Sequence, residues 1–186
     1  QASGAQVIGL ANGGTDTINA IKTATQFGVS PKQSVASLLT FITDVHSLGL
    51  KQAQGIILTE AFYWDLNDET RAWSKRFFAK TGKMPSMVQA GMYSGVMHYL
   101  NAIKAADTDD AASVMAKMKA TPVNDFFVKN GRIREDGLHV HDMYLMQVKK
   151  PQDSKYPWDY YNVLATVPGE KAFSPMEPGA CSFVKK

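Results

Sequence analysis

The stretch Pro85–Ala106, PSMVQAGMYSGVMHYLNAIKAA, decides how the rest of the chain is read. Apolar residues recur at Val88, Met92, Val96, Tyr99, Leu100 and Ile103, while Ser94, Asn101 and Lys104 fall on the other side, a helical rather than a strand spacing. The pattern predicts one long helix, half-buried along its apolar stripe. Gly91 and Gly95 share a face on which a second backbone can approach, although each weakens the helix by roughly 1 kcal/mol relative to alanine. Two readings of this helix stand. It packs tightly on a sheet, or its N-terminal end, Val88 to Tyr93, lines a ligand cleft with unpaired amides and an aromatic ring.

Upstream, strands and helices alternate. Gln6–Ala11 is a short apolar run that stops at Asn12-Gly13-Gly14, after which Ile18, Ile21 and Phe27 carry helical spacing to Gly28. Thr15 or Asp16 is the expected N-cap and Gly28 the expected C′ residue. The glycine loop reads either as an anion site on helix amides or as an ordinary strand-to-helix turn, and it lacks the G-x-G-x-x-G order of a dinucleotide site. Ser34–Phe41 and Gly55–Glu60 are further strand candidates, with a short helix from Ile42 ending near Gly49. This spacing predicts parallel α/β units. Phe62-Tyr63-Trp64-Asp65 packs three aromatics into a loop, and Asp65, Asn67 and Asp68 open a helix that runs to Gly82. Capping accounts for these acidic and amide residues better than a calcium loop, because the required glycine and distal glutamate are absent.

Downstream, Asp107–Asp110 caps a helix, Ala111–Ala120, with Val114, Met115 and Met118 as its apolar face. Asn130-Gly131 within Phe126–Arg134 predicts a hairpin turn. Met143–Val148 and Tyr160–Val167 read as strands about a turn at Pro151–Pro157, and the tail from Pro168 reads as a surface segment. His139, His141 and Asp142 invite a metal reading, since alternate strand residues point the same way, but no third ligand is evident and a solvated strand start fits better. No nucleophile motif accompanies the serines, histidines and aspartates. No metal, cofactor or enzymatic activity is therefore expected.

Composition narrows the class. The chain has 186 residues, 45% of them hydrophobic and 20% charged, with a formal net charge of +3. That is enough chain for a substantial core and an ordinary globular balance. The basic residues are scattered rather than gathered on one face, so no nucleic-acid partner is expected. No window approaches the roughly 18 apolar residues of a membrane span. Cys181 is the single cysteine, which rules out a disulfide within these residues.

The segments AQVIGLANGGTDTINAIKTATQFGV, LTFITDVHSLGLKQAQGIILTEAFYWDLNDETRAWSKRFFAKTGKMPSMVQAGMYSGVMHYLNAIKAA and NGRIREDGLHVHDMYLMQVKKP, taken in that order, resemble the solute-binding proteins of branched-chain-amino-acid-type ABC importers. The resemblance implies an α/β, type I periplasmic-binding-protein fold, with two Rossmann-like lobes whose parallel sheets are flanked by helices. It also implies a partial chain, the C-terminal half. Residues 1–58 would form part of the second lobe, 59–140 part of the first, and 141–186 a return to the second lobe with the tail. Sheet edges left open by the missing strands would invite intermolecular completion of the fold. The implied function is capture of a small-molecule solute in the periplasm for delivery to ABC permease membrane subunits. A ligand-sensing receptor module of the same fold is the alternative.

By position, the resemblance nominates Asn12, Gly13 and Gly14 after the first strand, Thr40 and Phe41 after the second, and Gln89, Ala90 and Tyr93 at the central helix as ligand-binding residues. One departure matters. Amino-acid-binding relatives place a glutamate near Leu39-Thr40, where this chain reads LLTFITD. Burying an ammonium group without a counter-charge is costly, so unless Asp44 reaches in, an aromatic or branched carboxylate competes with a branched-chain amino acid as the ligand.

Overall fold

A computed structural model describes residues 3–30, 32–176 and 184. Strand β1, Val7–Leu10, ends where Asn12 to Gly14 turn the chain into helix α1, Gly14–Gln26. The N-cap is Gly13 rather than Thr15 or Asp16, and no side chain caps it. The two glycines let the helix begin early, Gly13 in extended backbone and Gly14 at φ 58°. At the other end Gly28 takes φ 64°, Gly28 N–H donates to Thr25 and Val29 N–H to Ala24, the paired bonds of a Schellman stop.

Strand β2, Ser34–Ser37, is shorter than its apolar run. The Ser37 and Thr40 hydroxyls bond to each other at 2.5 Å, which folds residues 38–41 into a bend ahead of α2, Ile42–Leu48. A short helix, α3, Leu50–Ala53, leads to β3, Ile57–Glu60. Helix α4, Asp68–Thr81, starts on an Asn67–Thr70 capping box and stops at left-handed Gly82. Asn67 is thus spent on Thr70, Asp68 on Arg71, and Asp65 on Arg71 and the Tyr156 hydroxyl, which is the capping arrangement and not a calcium loop.

Helix α5, Met87–Ala106, has its expected extent, but its sides are the reverse of the prediction. Ala90, Ser94, His98 and Ala102 are the buried stripe, while Val88, Met92, Val96, Tyr99 and Leu100 are exposed. The small-residue side is covered by the end of α6, Ala111–Ala120, and the loop after it: His98 Nε2 lies 3.0 Å from the Met118 carbonyl, and a Cβ on Gly91 would touch Phe127. In α6, Asp110 caps the Ser113 amide and Val114 is buried, whereas Met115 is exposed.

The hairpin predicted at Asn130-Gly131 is displaced. Strands β4, Arg132–Ile133, and β5, His139–Val140, pair antiparallel around a turn at residues 134–138, with Gly137 at φ 89°. Asp125 Oδ1 accepts from the Phe127 and Val128 amides, so the stretch before Asn130 is a turn rather than a strand. Strands β6, Met143–Val148, and β7, Tyr161–Val167, match their predictions, and the tail opens with a one-turn helix α7, Gly169–Ala172. Cys181 lies outside the described residues.

Two compact units result. One comprises the described residues up to Met87 and Tyr144–Thr166, the other Val88–Met143 and the residues from Val167. The first unit holds a sheet of order β1-β2-β3-β6-β7, in which β1, β2 and β3 run parallel and β6 antiparallel to β3. Val35, Leu58, Met146 and Val148 from the sheet, with Val45 and Leu48 from α2, form its core. Phe62, Tyr63 and Trp64 are all buried, and the Trp158 carbonyl accepts from both the Trp64 indole and the Tyr63 hydroxyl.

Candidate functional site

The strands β1 and β2 are parallel neighbours, so the turns after them emerge at the same end of the sheet. In open α/β sheets that carboxyl end is where ligands bind. The turns meet: a Cβ placed on Gly13 would lie 2.9 Å from Leu39 Cδ2. Asn12 accepts the Thr17 hydroxyl at 3.0 Å, which fixes the first turn on α1. The second turn is fixed by Asp44, whose carboxylate accepts the Phe41 amide at 2.9 Å. Asp44 is therefore occupied with the backbone of this loop.

The five candidates in the first unit, Asn12, Gly13, Gly14, Thr40 and Phe41, thus lie on two adjoining loops, but they are not equally available. Thr40 is 3% exposed and its hydroxyl is bonded to Ser37, so its side chain belongs to the loop's interior. Leu38 and Leu39 are the exposed apolar side chains here. Sequence reasoning missed them because an apolar run that continues past a strand's end reads as strand.

In the second unit the three candidates occupy the first two turns of α5. Ala90 is fully buried, Gln89 is exposed, and Tyr93 is partly exposed with its ring centroid 5.7 Å from that of Phe126. Tyr93 also lines a hollow of about 270 Å³ together with His98, Asn101, Asn124 and Asp125.

The two histidines do point the same way, with ring centroids 5.0 Å apart, but they are packed rather than solvated. His139 and His141 both meet Phe127, and His141 also meets Phe173. Burial, with His141 and His98 nearby, lowers the His139 pKa to about 4. Nε2 of His139 is buried without a hydrogen bond and would sit 2.5 Å from a Cβ on Gly131, which explains why glycine stands there. Among the described residues no group of three or more His, Cys, Asp or Glu side chains is placed to hold a metal ion. No helix among them is long and apolar enough to cross a membrane.

Residues 1–155 match a family model described as periplasmic binding protein. A search of curated proteins finds no match. Among solved structures, a periplasmic binding protein from Burkholderia mallei is 51% identical, with a TM-score of 0.92 over 100% of this chain and 49% of its own. A branched chain amino acid ABC transporter periplasmic ligand-binding protein from Burkholderia xenovorans is 43% identical, with a TM-score of 0.89 over 98% of this chain and 49% of its own. A solute binding protein of an ABC transporter from Rhodopseudomonas palustris, solved with 3,4-dihydroxy benzoic acid, shares the fold at 17% identity, with a TM-score of 0.71 over 88% of this chain and 45% of its own. The chain spans about half the length of the structures it matches.

Proposed function

The chain belongs to the periplasmic binding protein family, the solute-binding proteins of ABC transporters and not a family of enzymes, and from that premise we propose that it supplies one part of a protein that captures a small organic solute in the periplasm and delivers it to ABC permease subunits. The observation that carries this reading is the meeting of the β1–α1 turn with the loop after β2, where Gly13 touches Leu39 at the carboxyl end of two parallel strands. A ligand held there gains backbone amides from the uncapped start of α1, apolar contact from Leu38 and Leu39, and the ring of Phe41. In the complete protein, closure of two lobes would exclude water and strengthen these few polar contacts.

For the ligand we propose an aromatic or branched carboxylate ahead of a branched-chain amino acid. Asp44 is committed to the Phe41 amide, and no other acidic residue occurs between Leu38 and Ser47 to balance an ammonium group. Relatives of the same fold carry both chemistries, isoleucine in one and 3,4-dihydroxy benzoic acid in another. A thermal-shift panel on the complete protein, setting benzoate-like acids against leucine, isoleucine and valine, tests the proposal. A ligand at 100 times its dissociation constant adds about 2.7 kcal/mol of stability. A shift by the amino acids alone would reverse the ligand preference, and no shift by either class would remove the solute reading.

A further inference from the structure

Glu60 is the acidic side chain the site has not used. It ends β3, is 1% exposed, and neither of its carboxyl oxygens has a hydrogen-bond partner. Few buried polar atoms in folded proteins go unpaired, so a wholly unpaired carboxyl calls for an explanation. The register locates it. Ser37, the last residue of β2, pairs with Leu58 of β3, and Glu60 lies two residues further along the same buried face, past the point where the chain after β2 bends at residues 38–41. Asp44, which holds the Phe41 amide of the loop that the Proposed function assigns to the ligand, is among the groups that act on Glu60.

The elements packed around it bring one carboxylate, phenols and a single backbone amide. From α2, Asp44 adds a second carboxylate; from β7, Tyr161 presents a hydroxyl that is itself buried and unpaired; from β6, Tyr144 stands opposite in register. Tyr63 lies beyond Tyr161, and both phenols stay protonated well past neutral pH because burial raises them. The Met87 amide at the start of α5 offers the carboxyl its positive end without closing a hydrogen bond, and no cation is among the groups that act on it. Burial is the largest influence, so the carboxyl holds its proton well above the usual range.

We propose that Glu60 is a specificity-determining residue behind the ligand loop, a buried carboxyl with no cation partner over which an anionic carboxylate binds. The inference rests on the solute-binding reading. An ionised Glu60 at the same place would repel a ligand carboxylate, and a bound carboxylate would in turn hold the proton on Glu60 more firmly. Affinity for such a ligand then falls as pH rises through the titration of Glu60. The fall is about tenfold for each unit by which the ligand raises that pKa.

The test uses the complete protein and Glu60→Gln, a neutral isostere. Benzoate and leucine affinities are measured by calorimetry from pH 6 to pH 9, and unfolding without ligand is followed over the same range. The proposal expects the wild type to lose stability relative to E60Q as pH rises, and to lose benzoate affinity where Glu60 ionises, with no such fall in E60Q. Identical pH profiles for the two proteins would overturn it. Failure of benzoate and leucine alike to bind would sink the solute reading, while the ligand-free unfolding profiles still decide whether Glu60 carries its proton. Should E60Q not fold, the infrared carbonyl band of a protonated buried carboxyl in the wild type at pH 7 decides it: the band's presence supports the proposal, its absence overturns it.

Discussion

Gly13 and Leu39 touch across two loops that lie far apart in sequence, a Cβ on the glycine falling 2.9 Å from the leucine's Cδ2. The contact joins the two carboxyl-end turns into one surface. Gly13 has φ −139°, a conformation open to any residue, so glycine is required here by space and not by backbone strain. Gly13→Ala pushes an exposed, flexible leucine end aside, and should cost no more than about 1 kcal/mol of stability. Leu39→Ala should relieve most of that cost. A double-mutant cycle read by urea denaturation measures the coupling, and strictly additive effects would contradict the contact.

Lys149 and Asp159 form a largely buried pair at 2.5 Å, and the second aspartate oxygen accepts the Lys155 amide at 2.9 Å. Asp159 is 2% exposed. Asp159→Ala strands the lysine charge and should destabilise the protein by about 3 to 5 kcal/mol, whereas replacing both partners with apolar residues should cost much less. Urea midpoints of the single and double variants check this.

The apolar side of α5 that carries Met92, Val96 and Leu100 is exposed in this chain. Met92, 67% exposed, should accept Met92→Glu here with a change of within about 0.5 kcal/mol. In a polypeptide with the full length of the matched structures, we expect the same substitution to cost several-fold more, because that face would be covered. The bare face also predicts concentration-dependent association of the 186-residue chain, which sedimentation measures. A strictly monomeric chain at high concentration would count against intermolecular completion of the fold.

His139 sets an acid limb. Its pKa is lowered to about 4 in the folded protein, chiefly by burial, against about 6.5 in an unfolded chain. Between those values the unfolded state binds the proton and the folded state does not, so stability falls as pH drops from about 6.5 to 4. His139→Gln should flatten that part of the profile. A variant with an unchanged slope would show that the titration belongs elsewhere.

Much of this was legible in the sequence, and the misses have specific causes. Gly28, Asn67 and Gly82 mark helix ends by local chemistry, so the end of α1 and both ends of α4 are legible, whereas α1 begins ahead of its expected cap because Gly13 and Gly14 open it. Periodicity in α5 shows that the helix has an apolar side, but not whether this chain supplies anything to cover it. At Asn130-Gly131 the turn signal is real, with Asn130 at φ 56°, yet the Asp125 side chain takes two amides upstream and removes the first strand of the expected hairpin. In the candidate site, strand ends located Asn12 to Gly14 and residues 40 and 41. That Thr40 turns inward and Leu38 and Leu39 outward depends on the Ser37 hydroxyl, which no alternation pattern encodes.

The central claim is that the adjoining loops at Asn12–Gly14 and Leu38–Phe41 hold a small carboxylate solute in the complete protein. The most direct test is a benzoate titration of that protein and of its Asn12→Ala and Phe41→Ala variants, read by thermal shift. We predict a midpoint increase for the wild type that is lost or strongly reduced in both variants, each read against its own ligand-free midpoint. A shift of undiminished size in both variants would place the ligand elsewhere and contradict the account.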